Sequence, residues 1–136
     1  ADPDLSAFER RGGKLLLYHG WADFGVNPLR TIRYVDQVAA MSPRPVDEFL
    51  RLYLVPGMFH CSGGVNVDHF DLMTPLIDWV EAGQVPGAIP ASRIENGNVT
   101  RTRPLCAYPT AARYNGRGDI NLSGSFDCTR SAGPDP

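Results

Sequence analysis

The chain has 136 residues, 43% of them apolar and 21% charged, which is enough for one globular domain with a hydrophobic core. The formal net charge of -2 argues against nucleic acid or an anionic membrane as a partner. The sequence holds no apolar run near the roughly 18 residues that a membrane-spanning helix needs.

Residues 12–83 predict two strands that alternate with two helices. The predicted elements are a strand at Lys14–His19, a helix at Pro28–Met41 capped by Asn27, a strand at Phe49–Val55, and a helix at Leu72–Ala82 capped by Asp71, with Leu76, Trp79 and Val80 buried and Gly83 at its end. This alternation indicates an α/β fold with a parallel sheet. Because two strands do not make a stable parallel sheet, residues 1–83 are interpreted as the end of a larger α/β domain.

Residues 84–136 are rich in Gly, Pro, Arg and Asn and show little periodicity. They are predicted to form an extended C-terminal wrap, with short strands near Val99–Arg103 and Ile120–Leu122. The three cysteines are Cys61, Cys106 and Cys128. In a secreted protein an odd cysteine suggests a partner outside the chain, whereas in a cytosolic protein all three could be free.

Two polar residues follow the predicted strands. Asp23 comes after the first strand and His60 after the second. Because neighbouring parallel strands lie about 4.8 Å apart and end at the same sheet edge, the two loops can meet. An Asp bonded to His Nδ1 prepares the imidazole to act as a base toward a serine. The competing interpretation makes Asp23 a turn residue and His60 a hydrogen-bonded surface residue.

The sequence resembles the tannase/feruloyl esterase family over nearly its whole length. The matching stretches are GGKLLLYHGWAD (12–23), RLYLVPGMFHC (51–61), FDLMTPLIDWVEAG (70–83), RTRPLCAYPTAARYNGRGD (101–119) and Phe126-Asp127-Cys128. The resemblance implies the C-terminal portion of an α/β-hydrolase fold and a serine-type carboxylic ester hydrolase. It also implies that Asp23 is the acid and His60 the base of a Ser-His-Asp triad.

The resemblance implies a disulfide pairing as well: Cys106 with Cys128, and Cys61 with a cysteine outside this chain. The nucleophile is missing, since the chain contains no G-x-S-x-G motif and Ser62 lies too close to His60. The chain alone is therefore predicted to be inactive, and an N-terminal segment of the same enzyme is expected to carry the serine. The acyl-binding lid of the family and its calcium site are also expected outside this chain, which is predicted to hold no metal or cofactor.

Trp21 and Phe59 are predicted to line the pocket for a small aromatic ester, although Trp21 could equally be core. Phe59 departs from the small residue that the family has before the base. His19 either orients the site or is a satisfied structural histidine. A metal site at His69 would need three or four converging ligands, and the favoured interpretation of His69 is a solvated residue at a helix start.

Two competing hypotheses treat the chain as a non-catalytic binding or structural domain, or as an inactive fragment that self-associates through an exposed edge strand. The predicted location is secreted or periplasmic.

Overall fold

The computed structural model describes residues 1–130. In chain order the elements are α1 (Ser6–Arg10), β1 (Leu15–Gly20), α2 (Pro28–Met41), a 3-10 helix (Val46–Glu48), β2 (Leu50–Val55), β3 (His69–Phe70), α3 (Met73–Ala82), β4 (Ile89–Glu95), β5 (Asn98–Leu105), β6 (Thr110–Tyr114), a second 3-10 helix (Ser123–Ser125) and β7 (Phe126–Arg130). The predicted strand-helix-strand-helix order of the first half is confirmed. The bounds of α2 are those predicted, and each of the other three elements starts one residue later.

β1 and β2 form a parallel pair whose register runs from Leu15 opposite Leu50 to Gly20 opposite Val55. The two strands therefore end side by side, which places the loops that follow them at one edge of the sheet. The outer edge of β2 is covered by the segment after β5, where the Tyr108 amide donates to the Leu52 carbonyl at 2.8 Å. Among residues 1–130, the outer edge of β1 has no strand partner.

The pair is covered on both faces, as parallel strands require. One face packs against α2 and the other against the three-stranded antiparallel sheet β3-β4-β5. The buried residues of the first cluster are Val35, Val38, Phe49, Leu50 and Leu52, and those of the second are Tyr53, Val55, Met58, Val67, Ile89, Ala91 and Leu105. Side chains that alternate along β2 thus serve both clusters.

The helix signals of the sequence act as expected at three positions. The Asn27 side chain accepts from the Leu29 amide at 2.9 Å at the start of α2. Asp71 accepts from the amides of Met73 and Thr74 in the first turn of α3. Gly83 ends α3 in the left-handed region, with φ 68°.

The prediction for α3 is wrong at Val80. Trp79 is buried, but Val80 is 59% exposed. Met73 and Ile77 on the same helix are also exposed, at 65% and 45%. α3 has more apolar side chains than the described residues bury, because nothing among residues 1–130 packs against the side that holds Met73, Ile77 and Val80.

Residues 84–130 contain more regular structure than the predicted wrap. β5 confirms the strand near Val99–Arg103, but the strand at Ile120–Leu122 is wrong. The Leu122 amide donates to the Asp119 carbonyl at 3.0 Å, and the Asp119 side chain accepts from the Asn121 amide at 2.7 Å, so this segment is a turn. β3, β4, β6 and β7 were not predicted. Residues 131–136 of the predicted wrap lie outside the described residues.

The Cys106–Cys128 disulfide expected from the resemblance is present, with the Cα atoms 5.6 Å apart. It joins the end of β5 to β7, which pairs with β6 in an antiparallel hairpin. The three cysteines do not all stay free, and Cys61 is left as an exposed free thiol within the described part of the chain.

Candidate active site

The loop after β1 is bonded tightly to the end of β2. The Trp21 amide donates to the Val55 carbonyl at 2.9 Å, and the Ala22 amide donates to the Met58 carbonyl at 3.0 Å. Asp23 follows directly. Its Oδ1 accepts from the amides of Gly25 at 2.8 Å and Val26 at 2.9 Å, which folds the loop around the carboxylate. The Asp23 side chain is 1% exposed.

The structure brings His60 to Asp23, as the strand-end positions predicted. His60 Nδ1 lies 2.7 Å from Asp23 Oδ2. Because an ionised carboxylate only accepts, Nδ1 carries the proton and donates. Nε2 is then left without a proton. The His60 side chain is 64% exposed, so an approaching group can reach it.

Gly20 allows the two loops to approach this closely. A Cβ at this position would collide with the backbone carbonyl oxygens of Met58 and Phe59. Only the absence of a side chain lets the backbone before His60 lie directly on the end of β1. This close approach carries His60 to within hydrogen-bond distance of Asp23, from a position 37 residues away in the chain.

The environment of Asp23 favours its charged form. The hydrogen bond from the Val26 amide is the largest cause that lowers the pKa of the Asp23 carboxyl, from 3.8 to about 2. Burial acts in the opposite direction, and the donors His60 and Gly25 add to the lowering. The carboxylate is therefore held ionised at any pH at which His60 could act as a base.

A second histidine shares the same carboxylate oxygen. His19 Nε2 lies 3.2 Å from Asp23 Oδ2 and 3.0 Å from the Val26 carbonyl, while its Nδ1 lies 2.7 Å from Thr31 Oγ1 on α2. From the sequence alone the role of His19 was open, and Thr31 had no predicted role. The i,i+4 spacing of His19 and Asp23 across a strand end was the available indication.

The two aromatic residues predicted to line a pocket lie in different surroundings. Phe59, 41% exposed, packs edge-to-face with Phe24 at a ring-centroid distance of 5.8 Å. Phe24 is 89% exposed and was not predicted. Trp21 instead lines a largely apolar cavity of about 420 Å³, whose walls include neither Asp23 nor His60.

Two further predictions concern residues near His60. Ser62 lies in the bend between His60 and Gly63 and not at a strand-to-helix turn. Within residues 1–130 no group of three or more His, Cys, Asp or Glu side chains is arranged to hold a metal ion. His69 Nδ1 instead contacts the neighbouring Asp68 Oδ1 at 2.9 Å.

In the same described range, no helix has the length and apolar character needed to cross a membrane.

The sequence of the chain is similar to those of known ester hydrolases. The sequence model of the family "Tannase and feruloyl esterase" matches residues 1–129. The chain belongs to the tannase and feruloyl esterase family. It is 49% identical over 128 residues to the mono(2-hydroxyethyl) terephthalate hydrolase of Piscinibacter sakaiensis, which covers 92% of the chain and 21% of that protein. It is 40% identical over 139 residues to a probable feruloyl esterase of Arthroderma benhamiae, covering 98% of the chain and 26% of that protein.

Solved structures of the family share the fold. An esterase from Aspergillus oryzae superposes with a TM-score of 0.87 at 30% identity, over 94% of this chain and 29% of that chain. Feruloyl esterase B from the same organism superposes with a TM-score of 0.85 at 27% identity, with the same coverage. The fold is thus of the α/β-hydrolase type. The chain spans about a quarter of the length of the relatives it matches.

Proposed function

We propose that this chain supplies the acid and the base of a Ser-His-Asp triad that hydrolyses carboxylic esters. The observation that carries the proposal is the 2.7 Å hydrogen bond between His60 Nδ1 and a buried, ionised Asp23. It fixes the tautomer in which His60 Nε2 is free to accept a proton. Membership of a family of ester hydrolases supports the same chemistry.

In the proposed reaction the serine comes from another segment of the enzyme. Its Oγ attacks the ester carbonyl while its proton passes to His60 Nε2, and Asp23 stabilises the imidazolium. His60 then gives the proton to the departing alkoxide, leaving an acyl-serine. Water attacks this ester with His60 again as base, and the acid product and free serine result. The proposed chemistry uses no cofactor held by this chain.

The serine-bearing segment is proposed to pack against the free outer edge of β1. That edge has no strand partner among residues 1–130, and the exposed apolar residues of α3 are also uncovered within this range. Paired parallel strands need neighbours on both sides to form a stable sheet. The alternative is that a second copy of the chain binds the same edge. The oligomeric state of the chain alone distinguishes a second copy from the serine-bearing segment.

Cys61 is proposed to form a disulfide with a cysteine of the serine-bearing segment. The thiol is exposed and directly follows the base, so a bridge there would tether the base loop to the nucleophile loop. Intact mass under non-reducing conditions should show Cys61 bridged to another peptide. A free thiol in the complete, active esterase would contradict the bridge. The Cys106–Cys128 disulfide and the proposed bridge both favour an oxidising location, outside the cell or in the periplasm.

The proposed substrates are esters of aromatic acids. The exposed Phe24–Phe59 pair lies beside the base, where aromatic rings can contact an aromatic acyl group. Trp21 is proposed to contact substrate from the apolar cavity that it lines. The names of the relatives, a terephthalate half-ester hydrolase and a feruloyl esterase, are consistent with this class.

The test compares His60→Ala with His69→Ala in the esterase that contains this chain, with methyl ferulate and methyl gallate as substrates. His60→Ala should lower kcat by at least about 1,000-fold, as loss of a triad base does. His69 also bonds an aspartate but lies outside the proposed site, so His69→Ala should stay within about 2-fold of the parent enzyme. Equal rates for the two variants would refute the role of His60.

The chain alone should hydrolyse neither ester and should not react with an active-serine phosphonate. Labelling of the chain by the phosphonate would overturn the claim that the nucleophile lies elsewhere. If the complete protein were also inactive and unlabelled, the result would favour a non-catalytic binding or structural domain.

A further inference from the structure

We propose that His19 is a positioning residue that orients Asp23 toward His60, and that Thr31 holds the His19 ring in place by donating to its Nδ1. This inference builds on the proposed function, because it assigns a support to the proposed acid. It rests on a continuous set of hydrogen bonds that runs from α2 through β1 to the loop after β2. The members are Thr31, His19, Asp23, Val26 and His60.

The tautomer of neutral His19 follows from its partners. Nε2 faces Asp23 Oδ2 at 3.2 Å and the Val26 carbonyl oxygen at 3.0 Å. Both atoms are acceptors, so the proton must be on Nε2. Nδ1 is then an acceptor, and within residues 1–130 its partner at hydrogen-bond distance is Thr31 Oγ1, at 2.7 Å. The Thr31 hydroxyl can donate, so it completes the arrangement without an unsatisfied group.

The location of His19 makes the ring a rigid support. It precedes Gly20 at the end of β1, and its side chain is only 11% exposed. Thr31 lies in the first turns of α2. The ring is thus held between a strand and a helix, whereas the carboxylate that it contacts lies in a loop. A residue that is fixed by packing can hold a less constrained neighbour in position.

The carboxylate needs such a support. Rotation about the last torsion of an aspartate is soft, since that torsion joins a tetrahedral to a planar carbon. The amides of Gly25 and Val26 bind Oδ1. Oδ2 has two acceptor sites, and they are occupied by His60 Nδ1 and His19 Nε2. His19 therefore positions the Asp23 oxygen to which His60 donates.

Val26 contacts both the Asp23 carboxylate and the His19 ring. Its amide donates to Asp23 Oδ1 at 2.9 Å, and its carbonyl accepts from His19 at 3.0 Å. One residue thus closes the loop onto both the carboxylate and the ring that supports it. Loss of the His19 ring would remove a donor from the Val26 carbonyl and from Asp23 Oδ2 together, so the loop and the carboxylate would loosen in one step.

The experiment reads the imidazole tautomers directly, by long-range ¹H–¹⁵N correlation on the folded chain at about pH 8.5. In the parent chain His19 should be protonated on Nε2 and His60 on Nδ1. In His19→Leu, His60 should lose its uniform Nδ1–H tautomer and approach the mixed state of a free histidine. A folded His19→Leu protein in which His60 keeps the Nδ1–H tautomer would overturn the proposal, as would an Nδ1–H tautomer for His19 in the parent chain.

Two further variants keep the test decisive if His19→Leu does not fold. His19→Gln places an N–H donor near the position of Nε2 and should retain the Nδ1–H tautomer of His60, whereas loss of it in a folded protein would contradict the hydrogen-bond account. Thr31→Val removes the donor to His19 Nδ1 and leaves the two acceptors at Nε2, so His19 should stay protonated on Nε2 while its ring is held less firmly. His60 should then shift toward the mixed state by a smaller amount than in His19→Leu, and an unchanged His60 tautomer in folded Thr31→Val would contradict the role of Thr31.

These measurements need no esterase activity, so their outcome is independent of the proposed function. In the active esterase, His19→Leu should lower kcat by on the order of 10- to 100-fold with KM unchanged, because a misplaced acid acts on the reacting step and not on substrate binding. His19→Gln should restore most of that loss. A purely structural role would lower stability and leave the tautomer of His60 in the folded protein unaltered.

Discussion

The chain contains two Asp–His pairs, and they differ less in the histidine than in the aspartate. His60 Nδ1 lies 2.7 Å from Asp23, and His69 Nδ1 lies 2.9 Å from Asp68. The two histidine side chains are similarly exposed, at 64% and 53%. A search for an exposed histidine bonded to a carboxylate would therefore find both pairs.

The two Asp–His pairs differ in the surroundings of their carboxylates. Asp23 is 1% exposed and has four hydrogen-bond donors within the described structure, two on each oxygen. Asp68 is 13% exposed and has two such donors, His69 on one oxygen and the Gly63 amide on the other. Asp23 and His60 come from different loops, whereas Asp68 and His69 are adjacent in sequence. The candidate acid therefore differs from the other aspartate in how completely its carboxylate is buried and hydrogen-bonded.

The largest expected effect comes from Asp23→Asn measured against Asp68→Asn. An asparagine at 23 can still accept from Gly25 and Val26 through its oxygen, but its NH₂ group would then face two histidine donors. His60 would turn to the Nε2–H tautomer and could no longer accept the serine proton. We expect kcat of the complete esterase to fall by about 10,000-fold.

Asp68→Asn is the matched control. Its side-chain oxygen can keep the hydrogen bond from the Gly63 amide, and its NH₂ group can meet His69 in the tautomer that accepts. The rate should stay within about 2-fold of the parent enzyme, because Asp68 lies outside the proposed site and its hydrogen bonds can be retained. Equal losses of kcat in the two asparagine variants would remove the distinction between the pairs.

The next effect concerns the approach of the two loops. Gly20→Ala should destabilise the chain by about 1–3 kcal/mol, because the new methyl group meets backbone carbonyls that cannot rotate away. The shift should also lengthen the Asp23–His60 contact, and leave the sequence-adjacent Asp68–His69 contact intact. Urea unfolding measures the first effect, and the imidazole ¹⁵N shifts of His60 and His69 measure the second.

Gly87→Ala is the control for this substitution, since a Cβ at Gly87 has no neighbour within 4 Å. We expect a change below about 0.5 kcal/mol in its free energy of unfolding. If Gly20→Ala were as mild as Gly87→Ala, the close approach at Gly20 would not be what joins the two loops.

The sequence predicted the pair at the sheet edge because that prediction needs only strand order. Apolar runs located β1 and β2, and parallel strands must end at the same edge. The sequence also offered His19 as a residue that orients the site, next to a structural role. Its contact with Thr31 was not predictable in the same way, since that contact depends on how α2 packs against β1. Periodicity gives the buried side of α2 but not which of its polar residues faces a strand end.

The errors have similar physical causes. β4 (Ile89–Glu95) was missed because it lies in a Gly- and Pro-rich stretch and contains Pro90, which argues against a strand from sequence alone. Ile120 and Leu122 on either side of Asn121 suggested a strand, but the Asp119 side chain accepts from the Asn121 amide and makes a turn. Val80 was expected to be buried, but no described element covers that side of α3.

The smallest expected effect is the response of the two pairs to acid. The pKa of Asp23 is lowered from 3.8 to about 2, chiefly by the Val26 amide. Burial raises the pKa of Asp68, but the hydrogen bonds from Gly63 and His69 outweigh it and hold that pKa below 3.8 as well. Both carboxyls therefore bind protons less readily in the folded chain than in the unfolded chain. Their contribution to stability is present above pH 3.8 and, for Asp23, is lost as the pH falls from there through about 2.

Carboxyl ¹³C titration of the folded chain measures this difference directly. Asp23 should titrate near pH 2, and the pKa of Asp68 should also lie below its ordinary value. The free energy of unfolding in urea should fall between pH 3.8 and 2, and this fall should be shallower in Asp23→Asn than in Asp68→Asn. An Asp23 midpoint at or above 3.8 would show that its four donors do not hold the charged form, and the comparison between the two pairs would lose its physical basis.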